Sequence, residues 1–125
     1  MKTDVLIGVD LGGTNVRAAR ISRDYSVEAL EKHGTPDGGE PERILDAIEE
    51  MIRRLLREND RPIGIGIGAP GPLNPFDGRI RHMPNLAGWN DYPLADVLEE
   101  RLQCPVYLIN DADAVALGEL NAGAA

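Results

Sequence analysis

Val5-Leu-Ile-Gly-Val-Asp-Leu-Gly-Gly-Thr-Asn15 is the stretch on which the fold of this chain turns. An apolar run with strand character ends in Asp10. Two glycines, a hydroxyl and an amide follow, and a second strand-like run begins, Val16-Arg-Ala-Ala-Arg-Ile21. A buried strand would thus deliver one carboxylate to a tight turn with free backbone N–H groups and the Thr14 and Asn15 side chains. Such a turn can hold a phosphate through its amides, with Asp10 placed to meet a hydrated Mg²⁺. The same residues also read as a plain β-hairpin whose glycines supply positive φ. The segment alone does not separate the two readings.

Working outward, residues 4–10, about 15–22 and about 26–34 read as three successive strands. The first is nearly all apolar, as expected of a central strand covered on both faces. Thr35-Pro-Asp-Gly-Gly39 breaks the pattern. From Pro41 to about Glu58, Ile44, Leu45, Ile48, Met51, Ile52, Leu55 and Leu56 follow helical spacing, and Pro41 suits a first-turn position. This is a packing helix whose charges form a solvated face. Pro62-Ile-Gly-Ile-Gly-Ile-Gly-Ala-Pro-Gly71 is a strand alternating Ile and Gly, one face packed and the other bare backbone open to a helix or ligand. It contains a literal G-x-G-x-x-G, but that fingerprint must open a helix, and Pro70, Pro72 and Pro75 forbid one.

Residues 72–92 read as a small hairpin and loop. A second helix starts near Pro93, with Leu94, Val97, Leu98 and Leu102 on one face, and ends before Pro105. Val106-Tyr-Leu-Ile109 is a fifth, buried strand, after which Asn110-Asp111 opens an Ala-rich helix running to Leu120. The order is βββαβαβα, with crossovers from the first strand to the fourth and from the fourth to the fifth.

The chain has 125 residues, enough for one domain that buries roughly two-thirds of its unfolded surface. Aromatics make up only 4%, so the core must be built from Val, Ile, Leu and Ala. A formal net charge of −8 repels phosphate backbones, which argues against nucleic acid as a partner. It does not exclude a small phosphorylated ligand held by local amides and Mg²⁺. No apolar run approaches the ~20 residues of a membrane span, and the N-terminus shows no signal-peptide pattern. The lone Cys104 makes neither a disulfide framework nor a metal cluster. A cytoplasmic setting is expected.

Asp111 sits where a parallel strand hands over to a helix, the place where ligands gather in α/β sheets. Asn and Asp are also favoured helix caps, which is the ordinary reading of Asn110-Asp111 taken alone. Asp10 and Pro70-Gly71, however, lie at carboxyl ends of strands in the same expected sheet, and three such ends favour a site. In Pro84-Asn-Leu-Ala-Gly-Trp89, Asn85 carries an amide suited to sugar hydroxyls, although a turn role is its ordinary one. His33 and His82 have no metal-ligand spacing and read as structural or exposed. Asp113 and Glu119 do not stack on one helix face.

Four motifs in order, Asp10-Leu-Gly-Gly-Thr-Asn15, Gly66-Ile-Gly-Ala-Pro-Gly-Pro-Leu73, Pro84-Asn-Leu-Ala-Gly-Trp89 and Asn110-Asp-Ala-Asp-Ala-Val-Ala-Leu-Gly-Glu119, carry a family resemblance. Over essentially its whole length the chain resembles the amino-terminal half of ROK-family sugar kinases, a family of glucokinases, N-acetylhexosamine kinases and sugar-responsive repressors. The resemblance implies a ribonuclease H-like, actin/hexokinase-type α/β fold. Its mixed five-stranded sheet would run in the order 3-2-1-4-5, with strand 2 antiparallel and helices on both faces. It implies that Asp10, Gly12, Gly13, Thr14 and Asn15 face the phosphates of ATP. Asp10 would meet Mg²⁺ through water. Gly71, Asn85, Asn110 and Asp111 would hold the sugar, with Asp111 as general base.

Two departures accompany the resemblance. The family pattern near Asp111 usually reads Asn-Asp-Ala-Asn, whereas Asp113 stands fourth here. Family members also continue into a second lobe, so residues 1–125 are expected to form the amino-terminal lobe only. The second phosphate loop, the adenosine pocket and the zinc site would belong to the carboxy-terminal half. On this view the isolated chain has negligible turnover, and the full-length protein could form a homo-oligomer. The alternative is the sugar-sensing effector domain of a repressor. Those relatives carry a helix-turn-helix before the first strand, and only three residues precede Asp4 here, which favours the enzyme.

Overall fold

The computed structural model describes residues 3–12, 15–24, 26–35, 40–69, 73–74, 78–80 and 91–110. At its centre lies β1 (Thr3–Leu11), in which Val5, Ile7, Val9 and Leu11 point to one face and are buried. Period-2 alternation gives a strand one apolar face, and β1 follows it, its other face being half-buried among the described residues. β2 (Asn15–Ile21) and β3 (Val27–Gly34) add antiparallel on one side, while β4 (Asp60–Ala69) and β7 (Val106–Asn110) add parallel on the other. The sheet order β3-β2-β1-β4-β7 is the expected one.

The register builds the core in rows. Arg20, Ile7, Ile65 and Val106 align across β2, β1, β4 and β7, and Ala18, Val9, Ile67 and Leu108 form the next row. All are buried. Onto this face pack α1 (Pro41–Leu55) and α2 (Leu94–Leu102), which share a single core cluster with it. The expected apolar stripe of α1 is buried from Ile44 to Leu55, and two i,i+4 pairs, Glu49–Arg53 and Glu50–Arg54, line its solvent side. The helix stops before Leu56, short of the expected Glu58. The Asp60 carboxylate accepts the Arg57 N–H at 2.6 Å, and this bond turns the chain into β4. On α2, Leu94 and Leu98 are buried and Val97 and Leu102 partly so, with Ala95 joining them.

The opposite face carries a different row: Leu30, Ala19, Gly8, Gly66 and Tyr107. A methyl placed on Gly66 would meet nothing within 4 Å, so the expected bare backbone is open at Gly66, whereas Gly64 is buried beside Leu6 and Tyr107. Ile63 departs from the alternation and is exposed, because the register slips between Val5/Leu6 opposite Pro62/Gly64. Pro62 is tolerated there because β7 first pairs with β4 at Ile65, leaving Pro62 one strand neighbour. The helix expected after Asn110, which would cover this face, lies outside the described residues.

Two short strands, β5 (Leu73–Asn74) and β6 (Arg79–Ile80), form the expected small hairpin. Ile80 and Tyr92 exchange backbone hydrogen bonds of 2.9 and 2.8 Å. Cys104 is buried behind α2, and burial pushes its thiol above the ordinary value.

Candidate functional site

Parallel pairing decides what meets at the upper edge of the sheet. β1, β4 and β7 run the same way, so their carboxyl ends are neighbours: Asp10 pairs with Gly68, and Ala69 with Asn110. β3, antiparallel to β2, brings its own carboxyl end to the same edge, where Gly34 pairs with Asn15. Asp10, Gly12, Asn15 and the Asn110 backbone are therefore gathered from distant parts of the sequence. Gly13, Thr14, Gly71, Asn85 and Asp111 lie outside the described residues, as do Asp113 and His82.

The turn after β1 is closed by the Gly12 N–H, which donates to the Asn15 carbonyl at 3.0 Å. The expectation that the turn's amides are free therefore fails at Gly12, whose donor is used inside the turn. Its glycine identity follows from crowding, because a Cβ would lie 3.1 Å from that same carbonyl oxygen. Positive φ is not the reason: among the described glycines only Gly78 has it, at 67°. Asp10 is half-buried, with Arg17 as its cross-strand partner on β2.

Thr35 is the residue that sequence reading passed over. It follows β3 directly, and its hydroxyl donates to the Gly12 carbonyl at 2.9 Å across 23 positions of chain. The available signal was Pro36, which disfavours helical backbone at the preceding residue and so carries Thr35 onward from the strand.

The hairpin frames the loop expected to carry part of the sugar site. Ile80 and Tyr92, bonded to each other, bracket residues 81–91, the stretch that carries Asn85 and Trp89. Asp91 accepts from Arg79 at 3.1 Å, and the Ala95 N–H donates to the Gly78 carbonyl at 3.1 Å. The ends of this loop are thereby fixed against α2.

A broad depression of about 800 Å³ opens at the opposite end of the sheet, between the starts of β1 and β4. Its buried Arg20 is paired with Glu28 and with the equally buried Asp60, so the depression is built around a structural ion pair. His33 is exposed in a surface cluster with Glu31 and Arg54, as expected of a residue without ligand spacing. There the Arg54 guanidinium holds the Glu31 carboxyl below its ordinary value.

Comparison with known proteins gives these features a context. The family model described as "ROK family" matches residues 6–125. A glucokinase from Halalkalibacterium halodurans is 39% identical over 124 residues, covering 94% of this chain and 37% of its own length. A ROK family glucokinase from Streptomyces griseus, solved in complex with glucose and AMPPNP, superposes with a TM-score of 0.82 at 33% identity. The match covers 94% of this chain and 36% of that one. A xylose repressor from Caldicellulosiruptor bescii is 31% identical over 91% of this chain and 29% of the repressor. The chain thus spans little more than a third of the kinases it matches.

Proposed function

The chain belongs to the ROK family, and from that premise we propose that it is the amino-terminal lobe of an ATP-dependent sugar kinase. The reaction is transfer of the γ-phosphoryl group to a hydroxyl of a hexose or N-acetylhexosamine. One observation carries this reading: parallel pairing collects Asp10, the Gly12 turn and Asn110 at a single sheet edge. The S. griseus relative, bound to glucose and AMPPNP, supports both substrates.

In this reading Gly12, Gly13, Thr14 and Asn15 face the phosphates. Asp10, half-buried at a strand end, is the hard oxygen donor that would meet a hydrated Mg²⁺. The metal, when bound, neutralises charge on the phosphate oxygens. Gly71, Asn85 and Asn110 hold the sugar. Asp111 orients the attacking hydroxyl and accepts its proton as the new O–P bond forms and the bond to the ADP oxygen breaks. A helix N-terminus would keep Asp111 ionised but less basic, so orientation is its larger contribution. Zinc, where the full-length protein holds it, would sit in the carboxy-terminal half.

The test is Asp111→Asn in the full-length protein. Sugar affinity should stay within a few-fold while kcat falls by about a thousandfold or more. An active variant removes Asp111 from the base role. The xylose repressor match favours one second reading, a sugar-sensing effector domain. Full-length protein that binds sugar, lacks phosphoryl transfer and changes its DNA affinity with sugar would establish that alternative.

A further inference from the structure

The turn after β1 contains consecutive glycines, Gly12-Gly13, the residue type with the most backbone freedom to lose on ordering. Left to itself, such a turn would present its donors in many directions. Both polar groups of Gly12 are nevertheless engaged. Its N–H donates to Asn15, and its carbonyl accepts from the Thr35 hydroxyl at 2.9 Å. The first bond is local to the hairpin. The second comes from the end of β3, which is tied to the same edge by the Asn15–Gly34 pairing.

A peptide is planar and trans, so a bond that fixes a carbonyl also fixes the N–H on the other side of that peptide. Holding the Gly12 carbonyl therefore sets the orientation of the amide that follows it. We propose that Thr35 is a positioning residue for nucleotide binding. Its hydroxyl locks the Gly12 peptide and so preorganises the turn for the phosphates. This rests on the reading of that turn as ATP-facing. The core does not require the hydroxyl: β3 is an edge strand, with Val27 and Leu30 exposed. Preorganised donors bind anions without an ordering cost at the moment of binding.

Thr35→Val keeps the β-branched shape and removes the hydroxyl, whereas Thr35→Ser keeps the hydroxyl. Both are compared with wild type in the ¹⁵N-labelled full-length protein, by amide exchange at Gly12 and Asn15 and by titration with Mg·AMPPNP to millimolar concentration. Thr35→Val should exchange several-fold faster at Gly12 and bind Mg·AMPPNP about tenfold more weakly. Thr35→Ser should remain within about twofold of wild type in both. Equal binding by wild type and Thr35→Val overturns the proposal and leaves the kinase reading standing. Wild type that shows no shift with Mg·AMPPNP refutes the ATP-facing turn itself, and the positioning role falls with it.

Discussion

Arg20 sits among aliphatic neighbours on the core face, its side chain only 3% exposed and flush with Ile7 and Ile65 in the same row. It bonds the Asp60 carboxylate, equally buried, and reaches Glu28 at 3.0 Å. Asp60 in turn accepts the Arg57 N–H, so one carboxylate both neutralises Arg20 and ends α1. Removing one member of such a pair strands the other charge in a dry site, which costs about 3–5 kcal/mol. Arg20→Met should therefore lower the free energy of unfolding by that amount in urea titration. Arg20→Met/Asp60→Asn should recover part of the loss, because the stranded carboxylate is then gone. A single variant as stable as wild type would show that Arg20 contributes only packing. Alternation puts Arg20 on the same face as Val16 and Ala18, but nothing local marks its partner, which lies forty positions away. Thr35 escaped notice for the same reason, since a hydroxyl that bonds a carbonyl across 23 residues has no local signature.

Elements, by contrast, are legible because their periods are local. The Ile44–Leu55 stripe follows from helical spacing and the two crossovers from connection rules, while the β3-β2-β1-β4-β7 order is the one the family resemblance implies. Finer details were less so, for physical reasons: the Asp60 bond at the end of α1, and the backbone register slip that turns Ile63 outward. The junction between the hairpin and α2 was also hidden. Gly78 sits at φ 67°, and a Cβ there would lie 2.6 Å from the Ala95 Cβ. Gly78→Ala thus adds a left-handed backbone penalty to a steric clash, together about 2–4 kcal/mol. Calorimetry should show a lower Tm for the variant. Adding Ala95→Gly should relieve the clash and leave the backbone penalty, giving partial recovery. Full recovery would mean that φ contributes nothing.

At the scale of the molecule, the proposed site is an edge. Asp10, the Gly12 turn and the end of β7 lie at one edge of one sheet. A nucleotide bound as proposed would meet donors from a single direction, on a chain whose net charge of −8 opposes an anionic ligand. Phosphoryl transfer depends on in-line positioning, and a ligand held from one side keeps much of the rotational freedom that effective catalysis removes. The S. griseus kinase, of which this chain matches 36%, leaves ample sequence for a second bank. The 125-residue chain should accordingly show no glucose- or N-acetylhexosamine-dependent ADP release above a blank in a coupled assay with Mg·ATP. The same residues within a full-length protein should turn over. Measurable transfer by the isolated chain, abolished by Asp111→Asn and so not due to a contaminant, would mean that one bank suffices. The edge would then have to bind both substrates in line without help from across a cleft.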